Sequence, residues 1–211
     1  MGFEQFQREF QQRFDEKMTA REKALPAART AIRACANAIR AIHRRERDAA
    51  RELMDRAEAA IREGRDAVRD HPDVSHAGFL QDAQKEYAEA RITEAIVEGA
   101  EIPGPDEVGV ELAPYLNGMA EAIGEARRHI LDLLRSGEVE RSEEILTSME
   151  DLYYLLVSMD YPDAITGNLR RSTDVARSIM EKTRGDLSIS LVQRSLRDAL
   201  DRHARDVLGG E

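Results

Sequence analysis

Glu, Ala, Arg, Leu and Gln dominate this chain, all of them good helix formers, and residues that stop helices are few. That restricts it to helices packed on helices. Pro26 interrupts the first long stretch, so 3–25 and 27–47 are two helices or one kinked helix. A helix over 48–69 follows, then a loop marked by His71, Pro72, Asp73 and Ser75, then a helix over 77–98. Gly99, Pro103, Gly104, Pro105 and Gly109 make the clearest loop. The next helix starts near Glu111, with Pro114 in its first turn where a missing N–H does least harm, and Gly137 stops it. Ser142 caps a helix to about Met159, ended by Tyr161-Pro162. The pattern then predicts a helix over 163–184 stopped by Gly185, and a last one from Ser188 to about Leu208. Apolar stripes support the assignment: Ala31, Ile32, Cys35, Ile39 and Ile42 in one segment, Tyr115, Met119, Ile123, Ala126, Ile130 and Leu133 in another. The expected fold is all-α, an antiparallel bundle of about seven helices forming one domain over 1–211. No Trp, five Phe and five Tyr argue against an all-β domain of this size.

The net charge of −10 argues at first against a nucleic-acid partner. It is unevenly placed. Residues 92–126 contain no Lys or Arg, and Glu94, Glu98, Glu101, Asp106, Glu107, Glu111, Glu121 and Glu125 give that window −8 of the −10. The rest is nearly balanced and Arg-rich: only 4 of the 31 basic residues are Lys, leaving 27 Arg. Apolar residues, at 42%, suffice for a core, and no stretch is apolar enough to span a membrane. A soluble, cytoplasmic protein is expected. The single cysteine, Cys35, rules out a disulfide framework and a cysteine-rich zinc site, and on its apolar face reads as a small core residue.

The sharpest local feature is a pair of carboxylates, Glu86 and Glu89, three apart on one helix. Glu121 and Glu125, four apart, form a second pair on the next long helix. Two facing helices that each offer two carboxylates can build an all-oxygen site suited to Mg²⁺ or Mn²⁺ and to phosphoryl chemistry. The competing reading is a solvated helix face. Such a face usually offsets Glu with a base one turn away; Glu121 has none on its N-terminal side, and Lys85 and Arg91 lie off the face of Glu86 and Glu89. A di-iron carboxylate bundle requires Glu-x-x-His twice and finds it nowhere; His129 lies four residues after Glu125 and reads better as a polar surface residue than as a ligand. No nucleophile elbow, phosphate-binding Gly loop or dinucleotide fingerprint occurs. The basic run Arg40, His43, Arg44, Arg45 and Arg47 is either a phosphate contact or a solvated face paired with Glu46, Asp48 and Glu52.

Three blocks in this order and spacing resemble the translin and Trax family of helical nucleic-acid-binding proteins. They are Gln84-Lys85-Glu86-Tyr87-Ala88-Glu89-Ala90, then Tyr115-Leu116-Asn117-Gly118-Met119-Ala120-Glu121-Ala122-Ile123-Gly124-Glu125, and Asn168-Leu169-Arg170-Arg171-Ser172-Thr173-Asp174-Val175. The resemblance covers most of the chain and implies a seven-helix bundle that assembles into closed octameric barrels. Translin has apolar residues where Glu86 and Glu89 stand, whereas Trax carries acids at all four positions, so the chain resembles the Trax branch. The resemblance implies that Glu86, Glu89, Glu121 and Glu125 are the catalytic residues and metal ligands of a Mg²⁺-dependent endoribonuclease, with Mn²⁺ as a substitute. Trax has Asp where this chain has Glu121, so the longer side chain must shift the metal or change rotamer. Arg40, His43 and Arg44 are implied RNA contacts, His43-Arg44 matching a His-Arg pair in Trax. The implied partners are single-stranded RNA, with single-stranded DNA as a second ligand, and further copies in a homo-octamer, with no membrane. The alternative is a translin-like single-strand binding assembly without catalysis. Convergence of the two carboxylate pairs on one point separates the two readings.

Overall fold

The first two helices pack through alanine. In α1, Phe3–His43, the buried positions include Ala24, Ala28, Ala31, Cys35 and Ala38; in α2, Arg47–Ala67, they include Ala50, Ala57, Ala60 and Gly64. Small side chains on both surfaces let the two axes approach closely. The computed structural model, which describes residues 2–208, runs α1 straight through Pro26 as one helix of 41 residues. Proline removes one main-chain hydrogen bond, and packing against α2 and a later helix over Phe79–Glu98 holds α1 across that gap. A turn at Arg44–Arg45, with Arg45 at φ 60°, reverses the chain into α2.

Two short turns and two long helices follow: α3 Pro72–Ser75, α4 Phe79–Glu98, α5 Pro105–Val108 and α6 Leu112–Ser136. Helix α4 lies in the middle, against α1, α2 and α6. The far side of α6 carries α7, Val139–Ser158, and α9, Leu169–Leu208, with the single turn α8, Asp163–Thr166, between them. Among the described residues there are nine helices and no strand; six are long, and the other three are four-residue turns. The all-α bundle is as expected.

Three expected boundaries move. Ser142 does not cap α7: the helix starts at Val139, and the Ser142 hydroxyl donates back to the Glu138 carbonyl. Gly185 does not end a helix, and Ser188 does not open one. Both lie inside the 40-residue α9, where the Ser188 hydroxyl donates to the Arg184 carbonyl one turn back. The break comes earlier, where Gly167 (φ 62°) and Asn168 (φ 66°) are consecutive left-handed residues that turn the chain between α8 and α9.

The core is continuous from Ala20 in α1 to Met180 in α9. Beyond it the ends of the two longest helices are bare. Phe3, Phe6, Phe10, Phe14 and Met18 form an exposed apolar ladder on α1, and Ile189, Val192, Leu196 and Leu200 form another on α9. No helix among the described residues is long and apolar enough to cross a membrane.

Candidate metal centre

Gln84 sets the height of α6 against α4. Buried in α4, its Oε1 accepts from the backbone N–H of Glu111, the residue that caps α6, and from the Arg65 guanidinium of α2. Its Nε2 donates to the Glu111 carboxylate. Seven residues on, Gly118 brings the two helices into backbone contact: a Cβ there would lie 2.5 Å from the Lys85 carbonyl oxygen and 2.9 Å from the Glu89 nitrogen. Only glycine fits that crossing. Glu86 and Glu89 lie at that level on α4, and Glu121 stands one turn beyond Gly118 on α6.

Glu86 and Glu89 from α4 and Glu121 from α6 each place a carboxylate oxygen within 4.8 Å of the other two. Oxygens on opposite sides of a bound magnesium lie about 4.2 Å apart, so a small side-chain movement brings these three into range. Burial, and then the charges of Glu86, Glu121 and Glu125, push the Glu89 carboxyl up to about 8. Such a cluster is short of positive charge, and its all-oxygen donor set fits a hard divalent cation.

Glu121 joins the cluster. Glu125 faces elsewhere: its Oε2 accepts from His43 Nε2–H at 2.5 Å, with Arg128 3.6 Å away. The His43 hydrogen bond holds the Glu125 carboxyl below the usual range. It remains close enough for its charge to raise Glu89.

Lys85 was expected to lie off the carboxylate face. The structure instead carries its side chain across to α6, where Nζ donates to Glu121 Oε1 at 2.6 Å and lies 3.3 Å from Glu86 Oε1. Judged by its angle on α4 alone, Lys85 points away; four methylenes of reach bring it back. The signal in the sequence was its isolation, one of four lysines beside 27 arginines.

The basic run divides. Arg40 and Arg44 are exposed, hydrogen-bonded to Asn37 and Glu46 respectively. The His43 side chain is 4% exposed and faces inward, so it offers a strand no surface. Arg45 and Arg47 reach Glu138 and Glu98. His129 is buried, with its ring 6.3 Å from that of His43, rather than lying at the surface. Cys35 sits in the core as expected, its thiol pushed up to about 12 by burial and then by the charges of Glu86 and Glu89.

Asn117, Ser172 and Arg171 add what spacing did not single out. Buried Asn117 donates to the Thr166 carbonyl at the end of α8 and accepts from the Ser172 hydroxyl in α9. That fixes the first turn of α9 beside the acids, where Arg171 and Ser172 wall a recess of about 390 Å³ bordered by Glu89 and Glu121.

No protein-family model matches the chain. It is 31% identical over 188 residues to an uncharacterised protein of Methanocaldococcus jannaschii, covering 88% of this chain and 83% of that one. A solved structure described as a duplex RNA complex of AfC3PO superposes with a TM-score of 0.80 at 30% identity, covering 89% of this chain and 97% of that one. The chain belongs to the translin-like family. A crystal structure of AfC3PO gives a TM-score of 0.79 at the same identity. That of apo-NeC3PO, at 18% identity and a TM-score of 0.72, shares the fold. Within this translin-like bundle the three converging acids lie on α4 and α6, the pair of helices that Gly118 holds in backbone contact.

Proposed function

We propose that this translin-like protein is a Trax-type, Mg²⁺-dependent endoribonuclease of single-stranded RNA, working in the cytoplasm as an octameric barrel. The observation that carries the reading is the approach of Glu86, Glu89 and Glu121 oxygens to within 4.8 Å of one another, around a half-buried Glu89 whose carboxyl the site pushes up to about 8. When bound, Mg²⁺, or Mn²⁺ in its place, offsets charge on a phosphodiester and activates water for hydrolysis. Glu86, Glu89 and Glu121 would hold it, and Glu125, oriented by His43, stands one turn away on α6. Arg171, exposed at the rim of the recess, is placed to meet a phosphate of the strand, as are Arg40 and Arg44 on the outer face. The AfC3PO relative in complex with duplex RNA supports RNA as the ligand class. The bare apolar ladders of α1 and α9 support assembly with further copies.

A binding-only, translin-like role is the second reading, with single-stranded RNA or DNA as ligand. It is favoured by the contacts that already occupy Glu121 and Glu125, an ion pair with Lys85 and a hydrogen bond from His43. The deciding experiment follows cleavage of a fluorescently labelled single-stranded RNA in Mg²⁺. Wild type is expected to cut it, and Glu89→Gln to lose cutting while still retarding the RNA in a gel. Equal cleavage by both proteins removes this site from the reaction, and binding without cleavage by wild type establishes the second reading.

A further inference from the structure

The carboxylate cluster already contains a cation, and it belongs to the chain. Lys85 Nζ donates to Glu121 Oε1 at 2.6 Å and stands 3.3 Å from Glu86 Oε1, touching two of the three side chains that converge. The contact joins two helices: Lys85 starts on α4 and ends on α6, 36 residues away in sequence. Its side chain is 24% exposed, so the pair is only partly screened by water. The choice of residue has physical content in a chain with 27 Arg and 4 Lys. An ammonium is a compact point charge on a flexible stem, whereas a guanidinium grips carboxylates with a rigid two-pronged fork.

We propose that Lys85 is a tethered counter-ion that holds the metal-free cluster together and competes with the divalent cation for Glu86 and Glu121. An ammonium and a metal ion cannot both sit against the same two carboxylates without repelling each other, so entry of the metal must push Nζ outward. Two effects follow from that single contact. The bundle can fold without metal, because α4 and α6 do not present bare like charges to each other. Metal affinity is set lower than the acids alone would give, because each binding event breaks an existing ion pair. The inference rests on the metal reading above and adds a residue that opposes the metal.

The test is Mn²⁺ binding to the full-length protein at pH 8.5, followed by the electron paramagnetic resonance signal of free Mn²⁺, with melting temperature as a second readout. Lys85→Met keeps the length and removes the charge. It is expected to bind Mn²⁺ about tenfold tighter than wild type, as loss of one nearby charge shifts ion equilibria by that order. It should also melt lower without metal and gain more on adding Mn²⁺. A merely structural lysine would weaken Mn²⁺ binding when removed. Should Lys85→Met not fold, Lys85→Arg serves: its fork should weaken Mn²⁺ binding below wild type. Wild-type binding that is lost in Glu89→Gln, together with equal or weaker binding by Lys85→Met, or equal or tighter binding by Lys85→Arg, overturns the role of Lys85 and leaves the metal site standing. Absence of Mn²⁺ binding in wild type and Lys85→Met alike overturns the metal site and this proposal together.

Discussion

His43 donates its Nε2–H to Glu125 Oε2 across 2.5 Å, tying the last turn of α1 to the middle of α6 over 82 residues of sequence. The ring is almost wholly enclosed, and its other nitrogen, Nδ1, is buried without a partner. Burying such a ring is tolerable only because the carboxylate takes one of its two polar atoms. The bond also explains why Glu125 stands apart from the other three acids.

Removing the ring with His43→Ala should therefore leave a partly buried carboxylate without its donor. A loss of about 1.5–3 kcal/mol is expected, the range for hydrogen bonds to charged groups. Guanidinium denaturation measures it, and an unchanged midpoint would show that the pair contributes nothing to folding.

Glu89 makes stability depend on pH in a defined direction. In the folded chain its carboxyl holds a proton up to about pH 8, whereas its ordinary value is 4.5. Between those values the folded state binds the extra proton, so stability falls as pH rises through the window and levels off above it. Thermal melts of metal-free wild type minus those of Glu89→Gln isolate this contribution. A difference that does not change between pH 5 and pH 8.5 refutes it.

Two glycines should respond to alanine with opposite signs. At Gly118 the new Cβ would collide with the backbone of α4, including the Lys85 oxygen at 2.5 Å, and overpacking of that kind costs about 1–3 kcal/mol. At Gly185, inside α9, nothing lies within 4 Å of the new atom. There the better helix propensity of alanine should stabilise by about 0.5–1 kcal/mol. Melting temperatures of the two variants check both, and a stabilised Gly118→Ala would contradict the close crossing.

The Cys35 thiol, pushed up to about 12 and buried, should stay protonated and unreactive in the native protein. Ellman's reagent at pH 8 is expected to label it only as fast as the chain unfolds, and at once in guanidinium. Rapid stoichiometric labelling of the native protein would show that the core around α1 is open.

The helical character of the chain was legible because propensity and apolar spacing agree over long stretches, and the acids were legible because spacings of three and four share a helix face. Tertiary contacts were not. Pro26 and Gly185 carry the local signature of a break, yet neighbouring helices hold α1 and α9 continuous through them. Gln84, Asn117 and Gly118 lie within the blocks that carry the family resemblance, but their work is done across helices, by hydrogen bonds to Glu111, Thr166 and Ser172 and by a missing Cβ. The reach of Lys85 is hidden from helix-face spacing for the same reason, since its partner Glu121 is on another helix.

The crossing at Gly118 also bears on ion choice. Where two helices meet through side chains, the gap between them drifts with each substitution in the core. Here it is gauged by main chain on main chain, at the level of Lys85 and Glu89. The spacing of the acids is thus insulated from turnover of their apolar neighbours, and in the proposed metal site selectivity for the radius of an ion would be a property of the backbone.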